Sequence, residues 1–237
     1  MKIMDPSRRR FLTRSAAAVS GLALGAGLAQ FGYAENMAGR KVIMDNYKPT
    51  FFNHLEWRCL VACCDCLIPA DETGPGALET LAPIYIDRQM QTEYATGGLW
   101  YMQGPFYTDS APEFGYQYKF TPRDIYRLGF SEMLAHCRDK HAKHFDEIEM
   151  KQRLEMLKAL ESGSLEMSSV PSKIFFSQLL RNTKEGFLAD PMYGGNRDMA
   201  GWKMIGFPGA RGDYLEFVSK HNQAYPHGPV SIEGQEG

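Results

Sequence analysis

The sequence predicts a mainly α-helical fold, an irregular helical domain with long aromatic and Gly-rich loops and no Rossmann or barrel pattern. Three observations predict it. Stretches bounded by helix start and stop residues recur along the chain. Thr121-Pro122-Arg123-Asp124 joins a hydroxyl cap, a proline at the first helical position and an acid in the first turn. Strand signals are weak everywhere, and no internal repeat is visible.

The first element is an export signal. Ser7-Arg8-Arg9-Arg10-Phe11-Leu12 is a twin-arginine pattern, and Arg14 adds a further charge. An uncharged Ala/Gly/Leu run follows from Ser15 to Ala29, and then Gly32 and Ala34 flank Tyr33 as a small-x-small cleavage site. The run is shorter than the roughly 20 apolar residues that span a bilayer. Residues 1–34 therefore read as a twin-arginine signal cleaved after Ala34. That route exports proteins already folded in the cytoplasm, so the expected destination is the bacterial periplasm. Removing residues 1–34 takes away Lys2, Arg8, Arg9, Arg10, Arg14 and Asp5, leaving 21 Lys+Arg against 27 Asp+Glu, a formal charge of −6. Such a balance argues against nucleic acid as a partner.

Residues 35–49 form a polar linker, and the helical domain is expected over 50–225. Thr50 can cap a helix running to about Ile68, where Pro69 stops it. That helix is apolar nearly all round, as suits a core or a partner contact. Pro69 to Ala77 is a turn-rich loop, and 78–94 reads as helix with Pro83 near its start. The segment Thr96 to Thr121, rich in Gly, Pro and aromatics, is long for an unstructured connection and so suggests function. Helices are expected at about 122–144, 146–161 and 171–187, with Gly163 and Gly186 as stops, and a short one near Asp213 to His221. Residues 226–237 read as a flexible tail.

Candidate chemistry is sparse. Cys59, Cys63 and Cys66 have a C-x3-C-x2-C spacing that can hold an iron–sulfur cluster, which makes a small electron-transfer protein the alternative reading. The spacing lies within a helical pattern, however, and no fourth ligand stands nearby, so buried structural cysteine is preferred. Five cysteines is an odd number, so one of Cys59, Cys63, Cys64, Cys66 and Cys137 stays free or pairs with another chain. Cys66 is followed by Leu67, which excludes the c-type haem motif. His136 to His144 groups Cys137, His141 and His144 on one face, but Arg138, Lys140 and Lys143 make it a solvated helix face. The carboxylates Glu185, Asp190, Asp198 and Asp213 have no evident catalytic partner. No catalytic, cofactor-binding or metal residue is assigned to this chain.

Gly194 to Tyr214, GGNRDMAGWKMIGFPGARGDY, holds six glycines among arginines and aromatics. It contains neither G-x-G-x-x-G nor a phosphate-binding loop. Together with TKEGFLADPMYGG, LIPADETGPGA, WYMQGPFY, TPRDIYRLG and FFSQLLRNTKEGF, it resembles the gluconate 2-dehydrogenase subunit 3 family from about Lys48 to Tyr225. Gly212 stands where that family would have an aromatic, and the cysteine cluster is denser than the family's. The resemblance implies the non-catalytic small subunit of a membrane-bound, FAD-dependent dehydrogenase complex at the outer face of the cytoplasmic membrane. It implies two partners: an FAD-containing large subunit of the glucose–methanol–choline oxidoreductase type and a membrane-bound multi-haem cytochrome c. The complex would convert D-gluconate to 2-dehydro-D-gluconate and pass electrons to ubiquinone. The small subunit would carry the export signal for the flavoprotein and stabilise it. Tyr193, Asn196, Arg197, Asp198, Trp202, Phe207 and Arg211 are the expected partner interface, since aromatics and arginines dominate interface hot spots. The rival reading is an internal turn, with Trp202 and Phe207 packed inward and Arg197–Asp198 closing it.

Overall fold

The computed structural model describes Met44, 46–212, 214–223 and 225–237; the signal expected at 1–34, most of the linker, Asp213 and Ala224 lie outside the described residues. Among these residues there are six α-helices and no strand, only isolated bridges. They are α1 (His54–Leu67), α2 (Ala82–Gln89), α3 (Pro122–His141), α4 (Met150–Ser162), α5 (Ser172–Leu188) and α6 (Ala200–Ile205). The mainly α expectation holds. No described helix is long and apolar enough to cross a membrane.

The helix ends show which local signals dominate. Thr121 and Asp124 form the capping box that starts α3. That helix stops at Ala142, in the left-handed conformation, short of His144. Gly163, also left-handed, ends α4. Leu81 is left-handed as well, so regular helix begins only at Ala82 rather than at Leu78. Phe145–Glu147 is a separate 3-10 turn, which delays α4 to Met150. The expected helix over 213–221 is reduced to a 3-10 turn at Leu215–Phe217.

Thr50 does not cap α1. Asn53 does, accepting from the Leu55 and Glu56 amides at 3.0 Å each, while Glu56 accepts the Asn53 amide at 2.9 Å. Thr50 is instead drawn to Asp87 of α2, which is fully buried. The Asp87 carboxylate accepts from Tyr47 Oη (2.8 Å), Thr50 N (2.8 Å), Thr50 Oγ1 (2.9 Å), Phe51 N (3.0 Å) and Phe52 N (3.1 Å). None of these five donors is a cation, so the buried carboxylate is satisfied by neutral hydrogen bonds. Arg127 of α3 grips the same segment. It donates to Phe51 O, stacks over the Phe51 ring at 4.1 Å and pairs with Glu56.

The long helix α5 packs against α2, α3 and α4. Its Phe175 meets Phe130 edge-on at 5.2 Å, and Phe52 sits edge-on to both Tyr126 and Phe130. Gly186 is not a stop but lies inside α5, where it lets α2 approach. A Cβ there would stand 3.0 Å from Ala82 Cα and O. The chain end, read as a fraying tail, carries defined hydrogen bonds. Gly237 N donates to Pro229 O at 2.8 Å, and Ser231 N donates to Gln235 O at 2.9 Å.

Asp87→Ala would strand five donors, at roughly 1–3 kcal/mol for each that stays buried and unsatisfied. We expect a loss of about 3 kcal/mol or more in urea unfolding. Asp87→Asn should also destabilise, because its NH2 would face donors. A loss below about 1 kcal/mol for Asp87→Ala would show that the clamp is not needed.

Candidate functional site

The Gly194–Tyr214 stretch is built on the carbonyl end of α5. A helix leaves its last carbonyls without intrahelical partners. Asn196, which is fully buried, supplies two donors: its backbone N to Gly186 O and its Nδ2 to Ala189 O, both at 2.9 Å. Trp202 Nε1 donates to Leu188 O at 2.6 Å. Asn196 Oδ1 then accepts the Gly201 amide at 2.8 Å, which seats α6. Gly195 is required by this approach, since a Cβ there would lie 2.2 Å from Gly186 O.

The seven residues expected at an interface therefore divide. Asn196 and Trp202 face inward and cap α5. Arg211 is half-buried and donates through Nε to Gly228 O at 3.0 Å, joining the chain end. Phe207 packs edge-on against Trp202 at 5.2 Å yet keeps 45% of its surface exposed. Tyr193, Arg197 and Asp198 are exposed, and Arg197 Nε lies 3.8 Å from Asp198 Oδ2. The stretch thus has two sides. One side is an internal cap and the other is an open surface. Sequence reasoning named Asp190 only as a carboxylate without a catalytic partner and missed its structural role: the buried carboxylate accepts Met192 N (3.1 Å) and Ile232 N (2.7 Å) and so ties the chain end to this stretch. It missed α6 as well.

The aromatic loop over 96–121 is the other open surface. Tyr101 is 82% and Phe114 73% exposed, and Leu99 and Tyr107 project nearby in sequence. Exposed apolar groups of this size mark interaction sites.

A hollow of about 1060 Å³ opens beside α1, but its arginines are engaged internally. Arg58 holds Asp146 and Glu147, while Arg153 donates to Ile148 O and Asp146 O. Burial, with Glu79 nearby, raises the Asp65 carboxyl in its wall. Among the described residues no group of three or more His, Cys, Asp or Glu is placed to hold a metal.

The cysteines do not fit a cluster. Cys59, Cys63, Cys64 and Cys137 are fully buried in the hydrophobic core. Cys64 Sγ contacts Thr183 Oγ1 at 3.5 Å, while Cys66 turns outward to Met150 Sδ at 3.4 Å. Ligands for one cluster would have to converge, and here Cys63 and Cys66 lie in different surroundings. Burial pushes the Cys64 thiol up to about 12 and raises the Cys63 thiol well above its ordinary value. Burial also lifts Cys66, to about 11, against partial opposition from Arg153. An intermolecular disulfide is therefore open to Cys66 alone without disturbing the core.

Thiol titration checks this arrangement. The native chain should show one slowly reacting thiol and the unfolded chain all five. With Cys66 raised from 9.0 to about 11, its thiolate fraction at pH 8 falls about 100-fold below that of a free thiol, and its rate should climb until pH passes about 11. Two or more fast native thiols would overturn the assignment.

No curated protein and no solved structure matches the chain. A family model does. Residues 54–209 match the one described as gluconate 2-dehydrogenase subunit 3, a span from the start of α1 to Gly209 that takes in all six helices and the cap on α5, and the chain belongs to that family.

Proposed function

We propose that this chain is the non-catalytic small subunit of an exported, membrane-bound, FAD-dependent dehydrogenase of the gluconate 2-dehydrogenase type. It escorts and stabilises a flavoprotein of the glucose–methanol–choline oxidoreductase type, which oxidises D-gluconate to 2-dehydro-D-gluconate. A multi-haem cytochrome c subunit takes the electrons on to ubiquinone. FAD and haem c belong to those partners.

One observation carries the reading. The chain spends its polar groups on internal anchoring, at Asp87, Asp190, Asn196 and Arg58, and leaves large aromatic side chains outside. That is the pattern of a surface made to be covered. The twin-arginine pattern at Ser7 to Leu12 supports export of a folded assembly, and membership of a dehydrogenase subunit family supports the partner class.

Co-expression with the flavoprotein and cytochrome genes tests the reading. A tagged small subunit should bring down a flavin-bearing chain much larger than its own 26.7 kDa while itself being colourless. Purification alone, or with iron and sulfide bound to it, would sink the proposal. Arg197→Ala and Phe207→Ala should lower the yield of assembled flavoprotein more than turnover per FAD. Trp202→Ala should instead destabilise the small subunit itself, by roughly 3–5 kcal/mol. For the escort role, Arg8→Lys with Arg9→Lys should leave both subunits in the cytoplasm. Export of the flavoprotein without this signal would remove that part of the proposal.

A further inference from the structure

Resting on the export reading above only for its place in the cell, we infer that α1 is a redox gate on folding. The chain reaches its fold only while its thiols are reduced, and the finished core then shields them. Folding must therefore be complete before the chain meets an oxidising compartment. Four of the five cysteines are crowded into Cys59 to Cys66, and all four lie on one helix. In an unfolded chain such close neighbours pair first, because a short loop is the least costly to close.

Helix geometry decides which bridges α1 can carry. A disulfide needs Cα atoms about 4.4–6.8 Å apart. At helical pitch Cys59 and Cys64 stand about 8.7 Å apart and Cys59 and Cys66 about 10.5 Å, both out of reach. Cys63 and Cys64 are adjacent, at about 3.8 Å, which is too close. Cys64 and Cys66 project about 160° apart around the axis, so their sulfurs face opposite ways. Cys59–Cys63 and Cys63–Cys66 alone fall within range, and they compete for one sulfur. Four cysteines can form two bridges in three ways. Each way contains at least one bridge that the helix forbids, so a fully oxidised Cys59–Cys66 segment cannot be α1.

Losing α1 takes the fold with it. The helix touches α2, α3, α4 and α5. It buries Trp57 and Leu60, pairs Arg58 with Asp146 and Glu147, and holds Arg127 through Glu56. Once these contacts are made, Cys59, Cys63, Cys64 and Cys137 have no exposed surface. A disulfide reagent cannot reach their sulfurs without opening the core. Cys64 Sγ is further held against Thr183 Oγ1 of α5, at 3.5 Å. The gate is thus one-way: an oxidant acts on the unfolded chain and not on the folded one. Export of such a chain to an oxidising compartment needs a route that carries it folded, and that is the route Ser7 to Leu12 suggests.

Refolding with and without an oxidant tests the gate. The full chain is unfolded in urea and treated with oxidised glutathione, then diluted. The reagent takes two electrons and two protons from each pair of thiols and leaves as two molecules of reduced glutathione. The yield of cooperatively melting chain should fall at least tenfold below that of the reduced chain, and should return when a thiol reductant is added. The folded chain under the same oxidant should keep its four buried thiols and lose only Cys66. Cys63→Ala/Cys64→Ala/Cys66→Ala should refold alike in both conditions. Native refolding of the wild-type chain with its bridges intact would overturn the gate. So would oxidation of the buried thiols as fast in the folded chain as in the unfolded one. A gate that holds in vitro while Arg8→Lys/Arg9→Lys leaves export unchanged would overturn the export route alone.

Discussion

The carbonyl end of α5 is the constraint on which the rest of the structure depends. α5 packs against α2, α3 and α4, and its final turn is enclosed by the chain that follows. Carbonyls in that position must find donors. Asn196 and Trp202 supply them, and the supply dictates the local sequence. The backbone at Gly195 has to lie against Gly186 O, a position no side chain permits. Once Asn196 and Trp202 are committed inward, Tyr193, Arg197 and Phe207 are left facing out. The exposed surface is thus a by-product of the cap, so the residues that look most like a recognition motif include two that recognise only their own helix.

Much of the helical content was legible because it rests on local chemistry. The capping box at Thr121–Asp124 and the left-handed Gly163 act within a few residues, and both ends stand where the sequence puts them. The errors came from contacts distant in sequence. Thr50 has the side chain of a cap, but a carboxylate 37 residues away takes it, and Asn53 caps instead. Gly186 has the identity of a stop, but it serves a helix crossing against Ala82. α6 was hidden because three left-handed residues, Asn196, Asp198 and Met199, precede it, and glycines on either side suggest loop. The candidate site was legible in composition and illegible in orientation. Nothing in a sequence says which of two aromatics, Trp202 or Phe207, will point outward.

The same division runs through the polar groups of the described residues. Arg58 is held by two acids of the same chain and Asp190 by two of its backbone amides. Four of the five thiols are sealed in the core, and burial raises those of Cys63, Cys64 and Cys137. Among the described residues the surface also carries large exposed aromatic area, at Tyr101, Phe114 and Phe207, a property suited to recognition.

Asp87 has a mechanical consequence. It sits on α2, yet it holds the segment from Tyr47 to Phe52 that leads into α1, and Arg127 of α3 holds Phe51 from another side. Traction applied to the chain ahead of Tyr47 therefore does not unwind α1 from its first turn. It is shared across five hydrogen bonds loaded together, and passes into α2 and α3 before α1 feels it.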